Sequence, residues 1–361
     1  MTLSASFSGA TGTIRECGFL YGTSSSSLST IVTFTGTGSP FSVSLSYLTT
    51  GTTYWYKAYV SEYNTSTSSY EERYGATLSF TLGSKSTQPG YLGCYEVPAI
   101  TDLTGESTTG SNSSRDDKWT RYYTSSSTRQ VAVHTFTHPT SGDRVRTYTV
   151  LYDGSRYAPL WTAHAMHSSM WPDKNVGRND GWTDDPAISL TQQTGISGSS
   201  YSRGHFVASS DRQSSKSQNQ QTFYHSNQAP QWQTKFNDGI WNTLEQQIRG
   251  HLPSGRDTLY VVTGVLYEGS VKTMKSGNNL SVPIPSHFYK CLMKCSFDSA
   301  GQMTASKGCA YLFENKAYSS GTPSNYTTTI DAIEARTGFD FFPAVPNSLQ
   351  STAEASSTPL W

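Results

Sequence analysis

The sequence predicts an α+β domain preceded by a small all-β sandwich. Two observations carry this prediction. Aromatic residues make up 13% of the chain against 14% charged. Gly, Ser, Thr, Asn and Pro recur throughout, as expected of short strands joined by many loops. Beyond about residue 95, strand-like runs and two helical patterns follow one another in irregular order, which argues for α+β rather than a parallel α/β sheet. A length of 361 residues favours two domains, or one large domain with an accessory module.

Residues 1–83 read as the sandwich. The runs "CGFLYG", "STIVTFTG", "FSVSLSYL", "TYWYKAYVSEY" and "GATLSFTL" alternate apolar and polar residues between Gly/Ser/Thr clusters. The stretch offers no nucleophile, acid–base pair or metal cluster. Residues 84–94 are a linker by composition. The second unit covers 95–345, and 346–361 reads as a polar tail. Within the larger unit, "RTYTVLYD", "APLWTAHAM", "QTFYHSN", "TLYVVTGVLY", "FYKCLMKCSF" and "CAYLFEN" are expected as strands. One helix is expected from Asn237, with Trp241, Leu244 and Ile248 on one face and Gly250 as its stop. A second is expected over "TIDAIEART", with Gly338 as its stop.

Lysine plus arginine equals aspartate plus glutamate at 26 each, so no global field draws this chain to polyanions or membranes. Any such attraction must be local. No apolar run of about 18 residues is present to span a bilayer as a helix. The N-terminus lacks a basic and an apolar signal region, so a signal segment is expected to be absent from this chain. Few charges and abundant Ser, Thr and Tyr favour a secreted, periplasmic or cell-surface protein. The five cysteines form no CxxC or Cys/His zinc pattern. Cys291 and Cys295 lie about 13 Å apart at strand rise, too far to bond each other. Cys295 and Cys309 can face across a hairpin over 287–315 and pair; the alternative is that all five are reduced core residues. His164 and His167 would point to opposite faces of a strand and cannot share a cation. His134 and His138 share a face without a carboxylate and read as surface polar residues.

The chemistry concentrates between residues 201 and 249. Arg203-Gly204-His205 ends one strand. A second strand, an Asn227-x-x-Pro230 turn and Asn237-x-Gly239-x-Trp241 opening a helix follow. A histidine on a strand with an amide oxygen at a helix mouth provides the parts of a one-metal phosphodiesterase site. Asn237 offers a hard cation one neutral oxygen and leaves the remaining shell to water, which suits Mg²⁺; it can also serve as a helix N-cap. Glu245 lies eight positions on, about 12 Å along the axis if the whole stretch is helical. It is therefore expected to hold a metal-bound water rather than the ion. Arg249, at i+4 from Glu245, can orient that carboxylate or reach a phosphate. Asn227 is expected to hold the turn or to touch substrate.

These motifs resemble the DNA/RNA non-specific endonucleases of the ββα-metal family. The family's Asp-Arg-Gly-His is similar to Ser202-Arg203-Gly204-His205. Its Asn-x-Gly-x-Trp and Leu-Glu match Asn237, Gly239, Trp241, Leu244 and Glu245, and "GRNDGWTDDP" resembles the segment with its active-site arginine, here Arg178. The resemblance spans about 250 residues. It implies a ββα-metal nuclease domain built on an antiparallel sheet with helices. It also implies a Mg²⁺-dependent hydrolase of DNA and RNA, with Mn²⁺ as an alternative ion and His205 as general base. Arg203 and Arg178 would then face phosphate charge, and Asn237 would be the metal ligand. Ser202 departs from the family's aspartate, which removes a carboxylate near the ion. That departure supports the competing expectation of a non-catalytic surface binding protein with a degenerate nuclease fold. Residues 1–83 resemble fibronectin type III modules of exported proteins, implying a glycan or protein ligand there.

Overall fold

The computed structural model describes residues 2–45, 52–81, 94–100, 103, 108–113, 115–124, 128–170, 176–189, 192–198 and 200–361. The chain divides into two compact units, Met1–Thr87 and Gln88–Trp361. The expected linker over 84–94 lies, apart from Cys94, outside the described residues.

In the first unit, β1 (Thr2–Ala5) pairs with β4 (Phe41–Ser44), while β2 (Ile14–Gly22) lies between β3 (Thr30–Thr33) and the long β5 (Thr53–Asn64). The two ends of β5 take β6 (Ser69–Tyr74) and β7 (Leu78–Thr81) as separate partners. Leu3 and Phe41 from the first pair bury against Cys17, Phe19 and Val60 of β2 and β5, so two layers enclose one apolar core. Strands β1 and β6 were not expected. All six residues of β6 are exposed and four are polar, so it lacks the apolar alternation that marks a half-buried strand.

The second unit is built on one antiparallel sheet, which among the described residues has nine strands. In chain order they are β8 (Thr108–Asn112), β9 (Asp117–Tyr123), β10 (Arg129–Thr137), β11 (Arg144–Asp153), β12 (Ala158–Met166), β15 (Thr258–Leu266), β18 (His287–Phe297), β19 (Met303–Glu314) and β20 (Thr327–Thr328). Each neighbours the next across the sheet. Between β12 and β15 the chain leaves the sheet to form α1 (Lys216–Gln221), the two-stranded ribbon β13 (Tyr201–His205) and β14 (Gln228–Trp232), and α2 (Asn242–Gly250). A further small ribbon pairs β16 (Thr273–Lys275) with β17 (Ser281–Pro283). The helices α3 (Ile330–Thr337) and α4 (Asn347–Glu354) close the chain.

Both faces of the central strands are covered, which is why β15 reads as a near-continuous apolar run. Alternation then separates two cores. Tyr260, Val262, Cys291, Met293 and Cys295 pack with Ile330, Ile333 and Ala353 of the closing helices. Leu259, Val261, Val265, Phe288 and Leu292 pack with Phe236, Trp241, Leu244 and Ile248 on the opposite face. Helix α3 occurs where expected. Thr329 caps it by accepting from the Ala332 amide at 3.0 Å, and Gly338 ends it at φ 74°, a left-handed conformation that glycine adopts without steric cost.

Several expectations need correction. Residues 222–227 are a turn rather than a strand, and the strand is β14, with Pro230 inside it rather than in a following turn. The Asn227 side chain bonds the backbone of Val207 and Thr222, which holds the chain in that turn. Cys295 lies opposite Ser306 and Cys309 opposite Leu292, so the two thiols project from different faces of the hairpin. Each remains unpaired. Residues 346–361 do not form a polar tail: α4 packs on β19, Ala353 is buried, and Leu360 and Trp361 lie against the second core.

His134 is also not at the surface. It is fully buried, with Nε2 2.9 Å from Asp185 Oδ2 and Nδ1 3.6 Å from Asp117 Oδ2. Asp117 further accepts from Tyr224 and Gln221, and Asp185 from Ser226 and the Ala187 amide. The network ties β10 and the segment around Asp185 to the turn before β14. Burial alone would lower the His134 pKa, but the two carboxylates outweigh it and hold the imidazole at about 10. A folded-state pKa raised above the unfolded value of about 6.5 gives stability that is complete below that value and is lost as pH rises toward 10. Thermal unfolding should therefore show the wild type losing stability from pH 7 to pH 9. His134→Gln should lower stability by about 3 kcal/mol at pH 6 and flatten that slope.

Candidate active site

The ribbon β13–β14 sits over the apolar face that also receives α2. Its register places Ser202 opposite Gln231, Gly204 opposite Ala229 and His205 opposite Gln228. A Cβ at Gly204 would come within 2.4 Å of Gln231 Cβ, so glycine is what allows the ribbon to close beside His205.

An open cleft of about 820 Å³ lies beside this ribbon. Arg178, Ser202, Arg203, His205, Asn237, Glu245 and Arg249 all line it. Asn227 does not: it is fully buried, and its amide accepts from the Val207 amide and donates to two carbonyls. Three guanidinium groups share the cleft with the carboxylates of Asp180 and Glu245; Arg178 pairs with Asp180 and Arg249 with Asp211, and among the described residues Arg203 has no ion-pair partner.

His205 is held between aromatic rings. Its imidazole lies 4.8 Å from the Trp182 ring and 5.2 Å from Phe223, edge-on to the latter. Burial, reinforced by the nearby Arg178 guanidinium, pushes its pKa down to about 3, so the ring is neutral at physiological pH and keeps one nitrogen lone pair. Arg203 lies over Trp182 at 5.3 Å and donates to the Ile196 carbonyl at 2.9 Å. Arg178 lies over Phe223 at 5.0 Å and pairs with Asp180 at 2.6 Å, largely in solvent. Trp182 thus touches both His205 and Arg203. Sequence reasoning missed it although it stands four positions after Arg178. An aromatic residue within a run of small and charged residues was the available signal.

The helix expected from Asn237 starts later. Residues 233–241 form an irregular, widened helical segment in which Thr234, Lys235 and Gly239 leave helical dihedrals, and regular helix begins at Asn242. Asn237 is therefore not the N-cap of α2, and the estimate of 12 Å along one axis does not apply. Its side-chain nitrogen approaches Gln233 Oε1 at 3.5 Å. Ser202 Oγ donates to the Gln231 carbonyl at 3.2 Å. Arg249 pairs with Asp211 at 2.9 Å, and Glu245 is not within ion-pair distance of it. Burial raises the Glu245 pKa to about 7, with Asp211 adding to the rise and Lys290 and Arg249 opposing it. Asn237, Gln233 and Glu245 present oxygen donors along one cleft, with no thiol among the lining residues. That donor set fits a hard, hydrated cation.

The sequence has known relatives. The family model for DNA/RNA non-specific endonucleases matches residues 127–348, more than half of the chain. The chain belongs to that family. Bovine mitochondrial endonuclease G is 28% identical over 210 residues, covering 55% of this chain and 68% of the relative. A nuclease of Nostoc sp. is 27% identical over 215 residues, covering 58% and 75%. The Serratia marcescens nuclease is 27% identical over 133 residues, 37% of this chain and 47% of its own length. The family assignment makes the protein a hydrolytic endonuclease with nucleic acid as its substrate class. Nucleases of this family depend on a metal ion.

Because Asn227 spends its amide on the turn and not on the cleft, Asn227→Ala should lower stability by about 2–3 kcal/mol. Urea unfolding would measure this.

Proposed function

We propose that the protein is a Mg²⁺-dependent endonuclease that hydrolyses phosphodiester bonds of both DNA and RNA, with His205 as general base. The supporting observation is that His205, Asn237, Glu245 and three arginines line one cleft in a chain of this family. The phosphodiester is common to both nucleic acids, and phosphate contacts need carry no base information.

In this reading Arg178 and Arg203 bind the non-bridging oxygens of the scissile phosphate. Neutral His205 accepts a proton from the attacking water. Substrate binding itself strengthens this base. A phosphate paired with Arg178 offsets the positive charge that, together with burial, holds the His205 pKa down. Trp182 and Phe223 fix the ring's orientation and keep bulk water from its faces. Asn237 would hold Mg²⁺ through its side-chain oxygen, with Glu245 reaching the ion through water, and the ion would supply positive charge to the leaving 3′-oxygen. Mn²⁺ meets the same oxygen-donor requirement. Arg249, fixed by Asp211, contributes positive potential at the Glu245 end of the cleft.

Residues 1–83 are read as a fibronectin type III-like spacer or binding module with a glycan or protein ligand, and 95–345 as the nuclease domain. Low charge and abundant Ser and Thr support export to the cell surface, the periplasm or the medium. Incubation of the full chain with plasmid and with RNA tests the chemistry. Both substrates should be degraded with Mg²⁺ and spared with EDTA. His205→Ala should lower kcat by about 10²- to 10⁴-fold with the fold intact. Persistence of both substrates under every divalent ion tried would refute the reading.

A further inference from the structure

Strand β18 presents Phe288, Lys290 and Leu292 to the face that carries the cleft, and Phe288 and Leu292 belong to the apolar core there. A lysine occupies the position between them and is 1% exposed. Its ammonium donates to Thr263 Oγ1 at 2.8 Å, directly across the strand pair, and to the Phe206 carbonyl at 3.3 Å. It lies 4.7 Å from the centre of the Trp241 ring. Phe206 is the residue after His205, and Trp241 stands one turn before Glu245. Among the described residues no carboxylate comes within ion-pair distance of it; burial lowers its pKa from the ordinary lysine value, and the nearby Glu245 and Asp211 oppose that fall. Burying an ammonium ion without an ion-pair partner is costly, and a methionine of similar volume would fill the space without that cost.

We propose that Lys290 is a positioning residue of the nuclease reaction. Its ammonium fastens the strand end bearing His205 and the helix bearing Glu245 to the central sheet, and sets a fixed positive charge behind the cleft. The inference rests on the nuclease reading above. Glu245 follows Trp241 by one helical turn on the same side, so loss of the charge loosens the seat of Trp241 and the strand end after His205, while Leu244 and Ile248 keep α2 on the sheet. The phosphate contacts proposed for Arg203 and Arg178 keep their own anchors, the Ile196 carbonyl and Asp180, neither of which involves Lys290. The effect should therefore fall on kcat and not on KM.

The full-length wild type, Lys290→Met, Lys290→Ala and Thr263→Val are compared in steady-state plasmid cleavage at saturating Mg²⁺, with thermal unfolding measured alongside. Lys290→Met should lose roughly 10- to 100-fold in kcat per folded molecule with KM within about twofold of wild type. n-Propylammonium, which replaces the atoms deleted in Lys290→Ala, should restore activity to that variant, whereas n-propanol at equal concentration should not. A purely structural role predicts equal rescue by both, and that result would overturn the proposal, as would wild-type kcat in Lys290→Met. If Lys290→Met fails to fold, Thr263→Val decides: it keeps the charge and removes one anchor, so kcat should fall several-fold, and an unchanged kcat rejects the proposal. A wild type that cleaves nothing would sink the nuclease reading and this inference together, whereas an active wild type with unaffected variants sinks the inference alone.

Discussion

The burial of Trp241 against the central sheet determines where the cleft can be. Its indole is almost wholly enclosed and lies 5.6 Å from Phe288, 6.0 Å from Phe313 and 5.8 Å from Phe236. Aromatic contacts of this kind contribute both buried area and preferred ring geometry. Trp241 stands four residues after Asn237 and four before Glu245, so the same anchor positions both. Leu244 and Ile248 continue the apolar stripe along α2. The polar side of the helix is thereby turned to the cleft, and the chemistry is a consequence of where the apolar side is spent.

A second constraint is polar. The face that carries the cleft contains several buried ionic groups that take hydrogen-bond partners from neighbouring segments. Arg212 donates to the carbonyls of Thr147, Asp211 and Ala165, which pins the segment after His205 to β11 and β12. His134 with Asp185 and Asp117 pins the segment that carries Arg178 and Trp182, and the Thr183 amide and carbonyl bond Phe223 and His225 on the neighbouring turn. Apolar packing alone would let these irregular segments slide, because it is not directional. Hydrogen bonds to buried charges are directional and costly to break.

How much of this was readable beforehand depends on whether the cause was local. Helix α3 and its Gly338 stop follow from neighbours in sequence, and so do the strand-like runs that became β2, β5 and β12. Seven of the eight singled-out residues, drawn from Arg178 to Arg249, line one cleft, because the spacing of a ribbon followed by a helix limits how they can be arranged. What was misread had distant causes. His134 is buried because its carboxylates arrive from positions 117 and 185. Cys295 and Cys309 miss each other because the hairpin register, set by apolar partners along its whole length, puts them on opposite faces. Asn227 holds a turn through carbonyls five and twenty residues away. Residues 347–354 look polar, yet one side of that helix finds β19. Lys290 gave a local signal that was overlooked, a charge at a core-facing position of an otherwise apolar strand.

The irregular stretch before α2 shows why the site could not be built from regular elements. A straight helix from Asn237 to Glu245 would separate the two by about 12 Å along its axis and turn them roughly 80° apart. Instead the chain leaves helical geometry at Gly239 and passes through a left-handed Lys235 at φ 63°, whose amide is taken by Asp238 Oδ1 at 2.5 Å. A left-handed non-glycine residue costs on the order of 1 kcal/mol or more, and it persists only where its surroundings over-determine it. Here they do: Phe236 on one side of Asn237 and Ile240 with Trp241 on the other are all buried in the same aromatic core. Asn237 is therefore held facing the cleft by the packing on either side of it.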